Sequence, residues 1–184
     1  MKSVFLGGSR NISRLTADVQ KRLDKMIDNN LRILIGDANG ADKAMQRHFD
    51  IKGYRNVEVF CAGGACRNNV GAWNVRTIAS ESRERDFEFY AAKDQAMTRE
   101  ASVGFMLWDG KSIGTLLNVL RLLRSGKKVV VYVGPARQFF ELKQAEDWSR
   151  FIAGYDASVR KKVEQKAASE SSESRKAAQT ALAL

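Results

Sequence analysis

Short apolar runs separated by amphipathic stretches set the rhythm of this chain. Ser3–Leu6, Leu31–Ile35 and Val57–Cys61 are almost unbroken apolar segments of strand length, the pattern of strands buried on both faces of a sheet. Between the first two, Leu15–Asn29 puts Leu15, Val19, Leu23, Met26 and Ile27 on one side and Lys21, Arg22 and Lys25 on the other, which predicts a helix ending at Asn29-Asn30. Ala41–Lys52 predicts a second helix. Further on, the pattern predicts a helix at Ala91–Ala101, a strand at Val103–Trp108, a helix at Ile113–Arg124 and a strand at Lys128–Val133. Strands alternating with helices define an α/β fold, here a doubly wound, mainly parallel five-stranded Rossmann-like sheet flanked by helices.

The rhythm breaks in three places. Residues 62–90 hold glycine, asparagine and charge without a clear period, and read as a long loop insertion of the kind that carries function or disorder. After Gly134-Pro135 a helical pattern is expected from Arg137 to about Ile152, with Phe139, Phe140, Leu142, Trp148 and Phe151 packing back on the sheet. From Val159 onward large apolar residues nearly vanish, so a frayed helix or disordered tail is expected. The predicted organisation is a Rossmann-like domain over 1–152 and a charged, Ala/Ser-rich tail over 153–184.

Composition narrows the classes. The chain has 184 residues, is 44% apolar and carries a net charge of +10, a surplus that attracts phosphates of any kind. Residues 157–184 hold six Lys/Arg against three Asp/Glu, so most of that surplus lies on the body. No run is long enough for a membrane helix and the N-terminus lacks a signal-peptide pattern, so the expected location is cytoplasmic. Cys61 and Cys66, with four residues between them, and a single His48 support neither a disulfide scaffold nor a zinc quartet, and no metal is expected. His48 has no evident sequence partner and reads as a partly buried or surface residue.

Candidate chemistry gathers at three strand-to-helix turns. GGSR follows the first strand with Gly7, Gly8, Ser9 and Arg10; GDANGAD follows the second with Gly36, Asp37, Gly40 and Asp42; DGKSIGT follows the strand ending at Trp108 with Asp109, Gly110, Ser112, Gly114 and Thr115. In a doubly wound sheet these turns share one crevice, where helix N-termini favour anions and glycine lets backbone approach a ligand. Ser9 and Arg10 suit a phosphate. Asp37 and Asp42 suit either ribose hydroxyls or the start of the following helix. Asp109, closing an apolar strand, suits a ribose or a glycosyl cation. In the long segment, Arg67, Trp73, Arg76, Arg83 and Arg85 suit either a stacked base with its phosphate or a solvated loop.

The order GGSR, GDANGAD, KDQAM (Lys93–Met97), DGKSIGT resembles the SLOG superfamily of Rossmann-like nucleotide-binding proteins over roughly residues 2–134, and most nearly its YspA-like branch. LOG phosphoribohydrolases and the single-stranded-DNA-loading DprA proteins are more distant members of that resemblance. LOG enzymes carry Gly-Gly-x-Gly-Thr-x-x-Glu, whereas here Asn118 stands where that glutamate would be. An amide is neither nucleophile nor base, so the resemblance implies binding or sensing of a nucleotide-derived ligand (a nucleoside phosphate, ADP-ribose or NAD-related), with Asn118 among the binding residues and no required cofactor. An N-glycosidic enzyme is the alternative, with Asp109 or Asp42 as its carboxylate or Glu81, Glu84 or Asp86 supplied by the long segment. Single-stranded nucleic-acid binding is the second alternative. A homo-oligomer is implied by the resemblance only.

Overall fold

A computed structural model describes residues 2–79 and 87–182, excluding the side chains of 87, 88 and 173–182. Seven strands form one sheet: β1 (Ser3–Gly8), β2 (Arg32–Gly36), β3 (Val57–Ala62), β4 (Asn74–Ile78), β5 (Val103–Trp108), β6 (Lys128–Val133) and β7 (Gln138–Leu142), in the order β4-β3-β2-β1-β5-β6-β7. All neighbours pair parallel except β7, which runs antiparallel to β6. The expected doubly wound, Rossmann-like α/β fold is therefore present, with seven strands rather than five.

Side chains alternate between two cores. Val4, Leu6, Ile33, Ile35, Val59 and Leu107 pack with Val19 and Leu23 of α1 (Ala17–Asp28) and Met45 and Phe49 of α2 (Ala41–Ile51). Phe5, Leu34, Phe60, Met106 and Trp108 face the other way, toward α3 (Phe87–Glu100), α4 (Ile113–Arg124), α5 (Ala145–Ala153) and α6 (Ala157–Leu182). This two-sided burial explains why the central strands carry so little polar punctuation. Helix starts are set locally. Thr16 Oγ1 accepts from Val19 N at the head of α1, and Asp147 Oδ2 accepts from Lys143 N and Gln144 N at the head of α5. His48 finds a partner across the α1–α2 contact, its Nε2 lying 2.9 Å from Asp24 Oδ1.

The two extra strands occupy stretches expected to be otherwise. β4 lies inside the 62–90 segment, and as an edge strand it shows its side chains largely to solvent, so no apolar run marks it. Phe139, Phe140 and Leu142 belong to β7 instead of a helix beginning at Arg137. The chain turns back after Gly134, with Arg137 at φ +49° and its N–H donating to Gly134 O, and β7 pairs with β6 from Val133↔Gln138 to Val129↔Leu142. The helical part of that stretch is α5 alone. α6 is a long helix whose Val163 and Ala167, one turn apart, are buried against the core. Arg121 of α4 ion-pairs with Glu170, and Arg124 Nη1 donates to Ala167 O at 3.0 Å, so polar bonds supplement a thin apolar seam.

Candidate functional site

The direction of strand order reverses between β1 and β5, and the C-terminal ends of these strands open into a crevice of about 640 Å³. Of the residues expected there, Gly7, Gly8, Ser9, Arg10, Asp42, Asp109, Ser112, Gly114, Thr115 and Asn118 line it. Gly36, Asp37, Gly40 and Gly110 are not among the residues that line it. Gly8 is held by close packing, since an added Cβ would sit 2.6 Å from Leu107 O and 2.7 Å from the Ala41 Cβ. Gly40 has φ +81° and its Cα faces the Arg10 backbone, which a side chain would strike. These approaches fasten the first turn to the second, where Ala41 N donates to Ser9 O, and to β5, where Ser9 N donates to Leu107 O.

Asp109 is engaged on both oxygens. Oδ2 accepts from Ser9 Oγ and Asn11 Nδ2, each at 2.8 Å, and Oδ1 accepts from Lys111 N at 3.0 Å and Ser112 N at 2.7 Å. Partial burial opposes the ionised carboxyl, but the donors from Asn11, Ser112, Ser9 and Lys111 outweigh it and hold the group below its ordinary pKa. In this arrangement Asp109 ties the β1 turn to the β5–α4 turn. Ser112, the N-cap residue of α4, caps no backbone N–H of the helix; its Oγ accepts from Thr115 Oγ1 at 3.0 Å, and the first turn with Gly114 and Thr115 lines the crevice.

The floor is a buried polar network centred on Lys93. Its Nζ donates to Asp94 Oδ1 at 3.0 Å, and both Lys93 Nζ and Asp42 Oδ2 crowd the Cα of Gly36, where a Cβ would lie 2.6 Å from the first and 2.5 Å from the second. Asp94 Oδ2 accepts from Asn118 Nδ2 at 2.9 Å, and Asn118 Oδ1 accepts from Arg121 Nη1. Asn118 thus holds a carboxylate in place. Burial disfavours the charge on Asp94, yet Lys93, Arg121 and Asn118 draw its pKa below the ordinary value. For Asp42 burial dominates, Lys93 offsets part of it, and the carboxyl is pushed up to about 6.

That shift gives a pH test. With the folded-state pKa above the ordinary 3.8, the protonated form favours folding: the contribution is full below about pH 4 and is lost as pH rises through about 6. Asp42→Asn should therefore gain about 2–3 kcal/mol relative to the unsubstituted chain between pH 4 and pH 7, in urea unfolding. A difference that stays flat across that range would contradict the assignment.

Asp37 is claimed by Arg67. The Arg67 backbone N and Nε donate to Oδ2 at 3.1 and 3.0 Å, and Nη2 donates to Oδ1 at 2.6 Å. Burial opposes the Asp37 charge, and the Arg67 donors together with the charge of Lys93 overcome it, so the carboxyl stays ionised well below its ordinary range. Arg67 also lies over the Tyr90 ring at 4.4 Å, and Arg10 lies 5.3 Å from the same ring, so one tyrosine gathers two guanidiniums at the mouth of the crevice. Trp73 and Arg76 do not reach it: Trp73 Nε1 donates to Tyr54 O, and Arg76 pairs with Glu58 and Glu100 at the opposite end of the sheet. Arg83, Arg85, Glu81, Glu84 and Asp86 lie outside the described residues.

Cys61 and Cys66 are joined as a disulfide, a local clip where no bridge was expected. The Asp37 carboxylate lies within 4.8 Å of both sulfurs. With the sulfurs bonded to each other and Asp37 held by Arg67, this trio is not arranged to hold an ion. Lys93, Asp94, Tyr90 and Asn11 were not among the expected site residues. The available signal was the KDQAM run (Lys93–Met97), which carries part of the resemblance but was given no site role.

No family model matches the chain, and no curated protein matches it. Among solved structures, the fold is similar to that of DNA processing protein A from Helicobacter pylori, a protein described for its single-stranded DNA binding mode, with a TM-score of 0.53 and 15% identity. The match covers 71% of this chain and 64% of that one, so the chain spans under two thirds of that structure's length. At this identity the likeness is one of fold. Among the described residues no helix is long and apolar enough to cross a membrane.

Proposed function

We propose that the protein binds a nucleotide-derived anion, such as a nucleoside phosphate, ADP-ribose or an NAD-related molecule, in the crevice between β1 and β5. The observation carrying this reading is the convergence, in one crevice, of the α4 N-terminus with two guanidiniums held on Tyr90. Phosphate lies over Gly114 and Thr115 within reach of Arg10, and the sugar hydroxyls face the carboxylates of the floor. The order of glycine turns that resembles the SLOG superfamily supports the same ligand class. Asn118, engaged with Asp94 and Arg121, favours binding over turnover.

Calorimetric titration of the full chain with AMP, ADP-ribose and adenosine tests this. AMP and ADP-ribose should bind and adenosine should bind far more weakly, while Arg10→Ala should weaken the phosphorylated ligands by about 10–100-fold through loss of a charge-assisted contact. Equal affinity for adenosine and AMP, or an unchanged Arg10→Ala, would overturn the assignment.

A second reading is supported by the structural neighbour and by the net charge of +10: a single-stranded nucleic acid tracking the basic surface. It predicts oligonucleotide binding that fades steeply as salt rises and survives a change confined to the crevice.

A further inference from the structure

The disulfide sits one residue before the cation that guards the crevice. Cys61 lies near the end of β3, fully buried in the core shared with α1 and α2, whereas Cys66 is only partly buried and directly precedes Arg67. Between them runs Ala62-Gly63-Gly64-Ala65, with Gly63 at φ +72° and Gly64 and Ala65 exposed. Two glycines give this segment little stiffness of its own. The bridge therefore fixes the approach of the backbone to Arg67, whose N–H and guanidinium both hold Asp37. The two sulfurs also differ in access: an external reagent reaches Cys66 and not Cys61.

We propose that Cys61–Cys66 is a thiol–disulfide exchange site for a low-molecular-weight thiol, and that its oxidation state sets how firmly Arg67 is held at the crevice. A thiolate attacks Cys66 Sγ, the sulfur–sulfur bond breaks, and Cys61 leaves as a thiolate that takes up a proton. A second thiolate then attacks the external sulfur of the mixed disulfide, releasing the symmetrical small disulfide and the Cys66 thiol. Two small thiols give up two electrons and two protons to the protein disulfide, and the reverse reaction needs only the small disulfide as oxidant. In the dithiol form Arg67 keeps its ion pair with Asp37, and Asn68 Nδ2 keeps its bond to Asp37 O at 2.8 Å, but the segment before them loses its covalent anchor. The consequence for ligand affinity rests on the nucleotide reading above; the exchange chemistry does not.

The test uses the full chain with reduced and oxidised glutathione. Cys61→Ser, which leaves the accessible sulfur, should gain one glutathione by intact mass on exposure to glutathione disulfide, and Cys66→Ser should stay unmodified. Reduction of the unsubstituted chain should speed hydrogen exchange over residues 62–67 by about tenfold and weaken ADP-ribose binding severalfold. Equal modification of the two variants, or exchange unchanged on reduction, would overturn the proposal. Faster exchange in a protein that binds no ADP-ribose in either state would sustain the exchange site and remove the nucleotide reading.

Discussion

Lys93→Met should lower stability by about 3–5 kcal/mol, the cost of leaving buried carboxylates without their cation, and shift the thermal midpoint by roughly 10 °C in a chain of this size. Lys93 is buried, bonded to Asp94 and adjacent to Asp42; burial alone would lower its pKa, and the charges of Asp94, Asp42 and Asp37 reverse that to a net rise. Methionine has nearly the same length and reach, so packing is kept and the loss is electrostatic. Without the ammonium, Asp42 and Asp94 hold protons to higher pH, so the deficit should shrink as the solution is acidified toward pH 5. Adding Asp94→Asn should restore part of the stability by removing one of the stranded charges. A midpoint within a degree of the unsubstituted protein would mean that the floor network is not built around this lysine.

Gly114→Asp should abolish nucleotide binding, a loss of at least about 100-fold, while leaving the fold intact. The residue lies in the first turn of α4 and lines the crevice, so an aspartate there places a carboxylate against the phosphate position and repels it. A negative charge in the first turn of a helix is favourable, and the change removes a glycine from a helical position, so unfolding is not the route to the loss. Circular dichroism and thermal unfolding close to those of the unsubstituted chain, with no heat on titration with ADP-ribose, is the expected pair of results. Oligonucleotide binding that persists in this variant would favour the nucleic-acid reading, and unchanged ADP-ribose affinity would sink the crevice assignment.

The fold was legible where burial is two-sided. β1, β2, β3, β5 and β6 are continuous apolar runs because a helix layer covers each face, and α1 shows its period because one side faces Lys21 and Lys25 to solvent. β4 and β7 sit at the sheet edges, where one strand shows much of itself to water and the other follows a turn made by a non-glycine residue with positive φ. For β7 a tight return after Gly134-Pro135 competed with a helical spacing of aromatics, and pairing with β6 decided the outcome. α6 stayed obscure because, among its described side chains, only Val163 and Ala167 bury fully, and its docking depends on Arg121 and Arg124, whose role is invisible without the partner helix.

The glycine turns named most of the crevice because glycine at a strand end has few other uses. What they do not encode is which polar group answers which. Asp109 and Asp37 look free in the sequence and are held by Ser9 and Asn11, and by Arg67, contacts that span about 30 to 100 residues of chain. Lys93 and Asp94 carry the floor from within a run that otherwise reads as ordinary helix. Asn118, read from the sequence as a ligand-binding amide, instead donates to Asp94 and positions it, a relation that only the α3–α4 contact reveals.

Native mass spectrometry of the purified full chain, before and after mild denaturation and beside Gly114→Asp, tests the central claim most directly. A small molecule of nucleotide-derived mass that travels with the unsubstituted protein, leaves on denaturation and is missing from Gly114→Asp is the predicted result. An apoprotein that stays unliganded when AMP, ADP-ribose or NAD is added, while single-stranded oligonucleotides bind it and Gly114→Asp equally, would contradict it.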